Sequence, residues 1–564
     1  MFCFALLGGV ASALGATLEA STNQPVYPGT SCPRLIIVSG SGKTSYVGGT
    51  IGDPTDPAAT EGIYFNAPTG STLTFKSSKK DVVKETDITY EEISDGLFAV
   101  RIKPSAAGKT TITVKLSGAS DYKIEYAASK ANVATTRWFY GSSDASAIAP
   151  AGEGFFFVAD DEANILRLHN SALSGAPLYQ VDATSMAGGK SGEEFDIEGA
   201  SVSNDGKTIY WLTSLSNNKS GKEKKYRNRA FSTKISGTGA NAKLTAGAYT
   251  TKMRDAMIAF GDANSWNFTA SASYEDEMIP KRIDGFNIEG LTLVKGGGAA
   301  YIGFRAPCVP LKGVTPTSSN RKYAVMTKVN NFESMLSGSG ESSTSPQYSA
   351  PILFDFGGLG IRSIERVGDY YVIIAGLFEG GGKPKAYLWD GAINADSAPF
   401  TAGDGHLTEM NIDMSGLVQV SGDNVEGHPE ALMARQEGNN IIIDIVCDNG
   451  TLDYYDDGKE NTDYSSDSKK YPWGKFRMDT FVYALPAPSS VGRVTMEPSF
   501  GITVTDGGIM LAGLTAGTPV SIVTVDGRLV SSTVATSSTL SLPLPYRSTV
   551  YVVRVGDKVM KFSY

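Results

Sequence analysis

Histidine and cysteine are the scarcest chemistry-bearing residues, three and four among 564. His169, His406 and His428 are too few and too dispersed for a histidine-rich zinc centre. Cys3 falls in an apolar N-terminal run, which leaves Cys32, Cys308 and Cys447. An odd remainder makes no disulfide framework, and no C-x-x-C spacing exists. A Cys308–Cys447 bridge fits the sequence, but two buried free thiols are the simpler reading. Positive charge is also short: 50 Lys and Arg stand against 59 Asp and Glu, for a net charge of −9. No basic stripe is available to release counterions from phosphates, which argues against nucleic acid as a partner. After the N-terminus no segment approaches the ~20 apolar residues of a transmembrane helix. Helical periodicity is sparse, and the Gly-x-Ser-x-Gly, Walker and dinucleotide-binding signatures are missing, so a serine hydrolase, NTPase or dehydrogenase has no local support.

What is plentiful is glycine, 63 residues, together with 10% aromatics. Short alternating apolar segments separated by glycine turns fill most of the chain and predict an all-β protein. Residues 1–15 form an apolar run ending in small residues, as expected of a secretory signal peptide lacking its basic start. Residues 34–130 carry strand patterns such as Leu97–Ile102 and Thr110–Leu116, spaced as in an Ig-like β-sandwich. Within them Asp53-Pro54-Thr55-Asp56-Pro57 has the look of a calcium loop, although Asp-Pro pairs more often start turns.

From 135 to 487 hairpin follows hairpin. Gly285-Phe286-Asn287-Ile288-Glu289-Gly290-Leu291 runs through Gly296-Gly297-Gly298 into Tyr301-Ile302-Gly303-Phe304-Arg305. Asp196-Ile197-Glu198-Gly199 leads likewise to Tyr210-Trp211-Leu212, and Asn424-Val425-Glu426-Gly427 to Ile441-Ile442-Ile443. The offset from glutamate to tyrosine is the same in the first two copies. Glu198 and Glu289 are 91 positions apart and Glu289 and Glu426 are 137 apart, close to two and three periods of a ~45-residue propeller blade. A β-propeller of six or seven blades is therefore expected, with Glu198, Glu289 and Glu426 converging on one mouth of its channel. Glu365 is a fourth candidate there, and Arg305 and Arg362 are expected to face the carboxylates.

Such a cluster is costly unless it holds a metal, shares protons or pairs with arginines. With a hard cation such as calcium, Asp196, Glu198 and Glu289 are the expected ligands, and the ion would orient an anionic ester or polarise water. Without one, a carboxylate of raised pKa serves as general base while Arg305 or Arg362 holds a phosphate or carboxylate. The plainest alternative is a set of Glu–Arg pairs fastening adjacent blades. The basic run Lys219–Arg229 reads as a solvated loop, and the acidic run Asp448–Asp467 as a surface loop.

Asp144-Ala145-Ser146-Ala147, Ala159-Asp160-Asp161-Glu162-Ala163-Asn164, Asp196-Ile197-Glu198-Gly199, Asn287-Ile288-Glu289-Gly290, Ile302-Gly303-Phe304-Arg305 and Gly360-Ile361-Arg362-Ser363-Ile364-Glu365 together resemble the bacterial domain of unknown function 3616. That family is distantly similar to propellers described as "esterase-like activity of phytase". The resemblance covers most of residues 135–485 and implies a propeller, with no assigned reaction. Residues 493–564, with Val520–Val530, Leu540-Ser541-Leu542 and Tyr551–Phe562 as strands, resemble the C-terminal sorting domain of the type IX secretion system, although Thr549 stands where that family usually has glycine. This implies export by that machinery to the outer-membrane surface or medium of a Bacteroidetes-type bacterium. Two functions follow: a calcium-assisted hydrolase of phosphate or carboxylic esters, or a non-catalytic surface propeller binding a glycan, peptide or other ligand.

Overall fold

The computed structural model describes residues 16–129, 136–273, 279–378, 383–417, 419–421, 424–426, 428–466, 472–485, 500–505, 507–525, 528–545, 550–556 and 558–564. The expected signal peptide, 1–15, lies outside these. The chain divides into two compact units, Met1–Ala484 and Leu485–Tyr564, and both are built of strands. Among the described residues no helix is long and apolar enough to cross a membrane.

The first unit opens with a sandwich. One sheet contains Glu19–Ala20, Ile63–Asn66, Leu97–Ile102 and Ile88–Ser94; the other contains Val38–Ser39, Thr44–Thr50, Tyr122–Ser129, Gly108–Leu116 and Leu73–Ser77. Alternation puts Ile63, Phe65, Phe98, Val100, Ile112, Val114, Ile124 and Tyr126 in the core between them. Asp56 caps the short helix Pro57–Thr60, accepting from Ala58 N at 2.9 Å and Thr50 N at 2.7 Å. The Asp-Pro segment is thus a helix start whose carboxylate is spent on backbone donors.

Five radial sheets follow. Their innermost strands are Ala145–Gly152, Ile197–Val202, Asn287–Leu293, Gly360–Val367 and His428–Glu437. Each packs on the next, and the fifth packs on the first, so the array is a closed five-bladed propeller. The expectation of six or seven blades is corrected. The error lay in the assumed period: helices Met253–Ala263 and Phe268–Ser273 lie between the second and third blades, so the interval from Glu198 to Glu289 spans one blade step, not two. The fifth blade is completed from the front of the propeller, where Thr136–Tyr140 pairs with Lys475–Ala484.

Sandwich and propeller meet at a buried lysine. Lys475 Nζ donates to Gly49 O at 3.1 Å and Thr50 Oγ1 at 2.7 Å, with the rings of Trp138, Tyr140 and Tyr455 around it. The acidic run is part of this seam: Tyr454, Tyr455 and Tyr464 are buried with Trp138 and Trp473, and Asn461–Ser466 is helical, where a surface loop was expected. Cys308 and Cys447 are buried free thiols.

The second unit has a three-stranded sheet, Gly501–Thr505, Gly508–Ala512 and Thr539–Pro543, and a four-stranded sheet, Leu529–Val534, Pro519–Thr524, Val550–Val555 and Lys558–Ser563. Ile509, Leu511, Ile522, Tyr551 and Val553 form its core.

Candidate functional site

All five inner strands carry a β-bulge at one corresponding point. The register skips between Ala145 and Ala147, Ile197 and Gly199, Ile288 and Gly290, Ile361 and Ser363, and Pro429 and Ala431. The extra residues are Ser146, Glu198, Glu289, Arg362 and Glu430, one per blade. A bulge turns one side chain out of the pleat's alternation, and here it does so around the propeller axis. The residue after each bulge is small because the next blade lies against it: a Cβ on Gly199 would fall 2.8 Å from Leu291 Cβ, and one on Gly290 would fall 3.0 Å from Ile361 Cγ2.

The ring divides chemically. On one side Glu289, 2% exposed, accepts from Arg305 Nη1 at 2.7 Å and lies 3.0 Å from Arg362 Nε, and Arg362 also pairs closely with Glu430. Arg305 Nε donates to Phe378 O at 3.0 Å. Arg362 is pushed down to about 10, first by burial and then by Arg305. Two arginines against two glutamates balance the charge of this half, with Arg362 Nη1 and Glu430 Oε2 buried without a hydrogen-bond partner among the described residues.

On the other side Glu198 is 8% exposed, and among the described residues no donor or cation pairs with it. Carboxylate oxygens of Asp161, Asp196 and Glu198 all lie within 4.8 Å of one another. Burial raises the Glu198 carboxyl well above the usual range, with Glu289 and Asp196 adding to the effect. Asp161 is raised in the same way by burial, Asp448 and Glu198, and its Oδ1 has no partner. Behind it burial and Asp448 hold Asp144 at about 9. Asp196 has a left-handed backbone, φ 60°, and accepts from Arg227 Nη1 at 2.7 Å, from Ser216 Oγ at 3.3 Å and from Ser214 Oγ. Glu198, Glu289 and Glu430 form a second close carboxylate group, but the arginines already neutralise two of its three members.

Both halves open into one cavity of about 450 Å³, lined also by Ser146, Asn287, His428 and Asp448 and, at its rim, by Lys219, Lys224 and Lys281. Asn287 is buried and its Oδ1 has no donor. Burial and Arg362 lower His428 to about 4, so its ring is neutral at neutral pH.

Several expectations need correction. Asn424–Glu426 pairs with Gln419–Ser421 in a separate ribbon, and the fifth blade contributes Glu430 where Glu426 was expected. Glu365 is not brought into the cavity. It lies along the inner strand from Arg362, opposite Val372, with its pKa raised to about 8 by burial and Arg366 as its charged neighbour. Arg305 and Arg362 do meet glutamates, as expected, Arg362 from the bulge position of the fourth blade. In the open carboxylate group Asp161 stands where Glu289 was expected, and the basic run supplies Lys219, Lys224 and Arg227 to the site.

Fold and site together define a five-bladed propeller with a carboxylate-floored funnel at one mouth. No family model and no curated protein matches the chain. Among solved structures it is similar to glutaminyl cyclase of Myxococcus xanthus, at 13% identity and TM-score 0.29, covering 62% of this chain and 96% of that one. PorZ, an essential surface component of the type IX secretion system of Porphyromonas gingivalis, is 11% identical at TM-score 0.22, with 94% and 86% covered. Virginiamycin B lyase of Staphylococcus aureus is 11% identical at TM-score 0.25, with 67% and 95% covered. At such values the likeness assigns no activity.

Proposed function

We propose that the funnel holds a hard divalent cation of the calcium type on Asp161, Asp196 and Glu198, and acts there on an ester of phosphate or carboxylic acid. One observation carries this reading: among the described residues no donor meets the buried Glu198, and two further carboxylates lie within 4.8 Å of it, while the glutamates beside it are paired with arginines. Asp196 has Arg227 as its partner, but Asp161 and Glu198 stay together beside it only with protons or a further cation between them, and oxygen donors from separate blades suit calcium. The Asp161 and Asn287 oxygens without partners are further donors of the same hard type. When bound, the ion would supply Lewis acidity toward an ester oxygen or water. The chain's own part is to orient the substrate: Arg305 lines the floor, and its Nη2 lies outside the contacts to Glu289 and Phe378, where a substrate oxyanion fits.

The non-catalytic reading keeps its own support. Ser146 Oγ donates to Ile197 O at 2.5 Å and Ser216 Oγ is bonded to Ser214 and Asp196, so neither serine is activated by His428. Hydrolysis here would have to use water. Calorimetric titration of the metal-free chain with calcium, followed by turnover of p-nitrophenyl phosphate and p-nitrophenyl acetate, separates the readings. Calcium binding that E198Q abolishes, with calcium-dependent turnover, supports the hydrolase. Binding without turnover leaves a cation-dependent binding protein, and a flat titration removes the cation. Export by residues 493–564 belongs to the same proposal: deleting them should trap the protein in the periplasm, and normal surface display of the truncated chain would end that reading.

A further inference from the structure

We infer that the funnel's ligand is a hydrophilic polyanion, with one anionic group at the carboxylate floor and a second held at the rim by Lys219, Lys224 and Lys281. The floor contact rests on the proposed cation; the rim contact does not. The rim's carboxylates are already engaged. Glu194 is clasped by Arg227, and Glu162 accepts from Thr462 Oγ1 at 3.0 Å. Among the described residues none of the three lysines has an ion-pair partner, yet all three line the cavity. The lining's seven carboxylates stand against five Lys and Arg, so a dication brings it to neutrality, and the three lysines are then its cations without a carboxylate partner among the described residues.

The backbone that carries the lysines is fixed on both sides of the funnel. Lys219 and Lys224 lie on a turn in which Asn218 N donates to Lys222 O and Gly221 N to Asn218 O, both at 2.9 Å. Asn218 Oδ1 accepts from Ser220 N at 3.2 Å and Lys222 N at 2.9 Å. Arg227 anchors the end of that segment to Asp196 and Glu194, and Lys224 stands 5.9 Å over the Tyr226 ring. Lys281 ends the turn Ile279–Lys281, which arrives from the segment before the third blade.

The remaining lining narrows the chemistry. Among the described lining residues Pro280 and Tyr226 are the largely apolar ones, so a fatty acyl chain has no wall to lie on. A volume of about 450 Å³ exceeds what a cation and one small anion occupy and suits a sugar-sized body between two charged ends.

The test uses the full chain with calcium present and compares glucose 1,6-bisphosphate with glucose 1-phosphate by calorimetry. The bisphosphate should bind about tenfold tighter, a factor within reach of a few partly exposed ion pairs, and rising salt should shrink that advantage. The variant K219Q/K224Q/K281Q should bind the two sugars equally at an unchanged Tm. Equal binding of both by the parent chain, or an advantage that survives in the triple variant, overturns the proposal. A flat calcium titration with the bisphosphate advantage intact would remove the cation and leave the rim site standing.

Discussion

The two halves of the funnel floor use the same residue type in opposite ways. Glu289 and Glu198 occupy one register position on adjacent blades, and both are buried. Arg305 and Arg362 meet Glu289, whereas Glu198 meets other carboxylates. Repetition of a motif therefore does not imply repetition of a role. What decides is the residue each neighbouring blade places at its own bulge. Arg362 on the fourth blade supplies positive charge to Glu289 and Glu430, while Ser146 on the first offers Glu198 none. The closed half is a fastening and the open half is available for chemistry.

Removing charge from each half should separate them. Replacing Glu289 by Gln leaves Arg305 and Arg362 short of a counter-charge in a buried network, and the loss should reach about 3–5 kcal/mol in chemical denaturation. A loss below about 1 kcal/mol would mean that Glu289 is no fastening. Glu198→Gln removes no donor contact and relieves repulsion, so unfolding without calcium should be unchanged or slightly harder. Its effect belongs to the ion: the parent chain should gain about 2.7 kcal/mol at calcium a hundredfold above its Kd, and E198Q should gain almost none.

Titration sharpens the same contrast. Asp161 and Glu198 have raised folded-state pKa values, and Asp144 reaches about 9. A carboxyl raised on folding stabilises the protein fully below its unfolded pKa, and that contribution is lost as pH rises through the folded value. Without calcium, these groups make stability fall from the ordinary carboxylate range up to about pH 9. Calcium displaces the protons of its ligands Asp161 and Glu198, so the calcium-dependent gain in Tm should grow as pH rises through their raised values. At the sandwich seam burial raises Asp56 and lowers Lys475, so the difference with and without calcium isolates the funnel. A gain independent of pH would place the ion elsewhere.

The hairpin register was legible in the sequence because it is local. The shared offset from Glu198 to Tyr210 and Glu289 to Tyr301 becomes the matching pairs Ser201–Tyr210 and Thr292–Tyr301. The blade count was not, because insertion length between blades is decoupled from the period of the inner strands. Glu430 lacks the glycine that follows Glu198, Glu289 and Glu426 and makes those copies stand out in the sequence. The physical demand is only for a small residue, as Ala145-Ser146-Ala147, Ile361-Arg362-Ser363 and Pro429-Glu430-Ala431 show beside the two Glu-Gly copies. An apolar, polar, small triplet opening a hairpin would have found all five. Asp161, Lys219 and Asp448 carry no such mark; only ring closure brings them to the cavity.

The smallest expected effect tests the ring itself, at the blade whose bulge carries no charge. Ser146 sits at the bulge where its counterparts hold Glu or Arg, and its Oγ donates to Ile197 O, the carbonyl just before Glu198. The bond crosses from the first blade to the second, so it positions the strand that presents Glu198. Ser146→Ala should cost about 1 kcal/mol, the net value of one buried hydrogen bond between neutral groups, well below the cost at Glu289. If the bond holds the open half in place, calcium should also bind several-fold more weakly to this variant, although Ser146 is not among the proposed ligands. Loss of stability with unchanged calcium affinity would make the first blade a bystander and leave the placement of Glu198 to its own bulge.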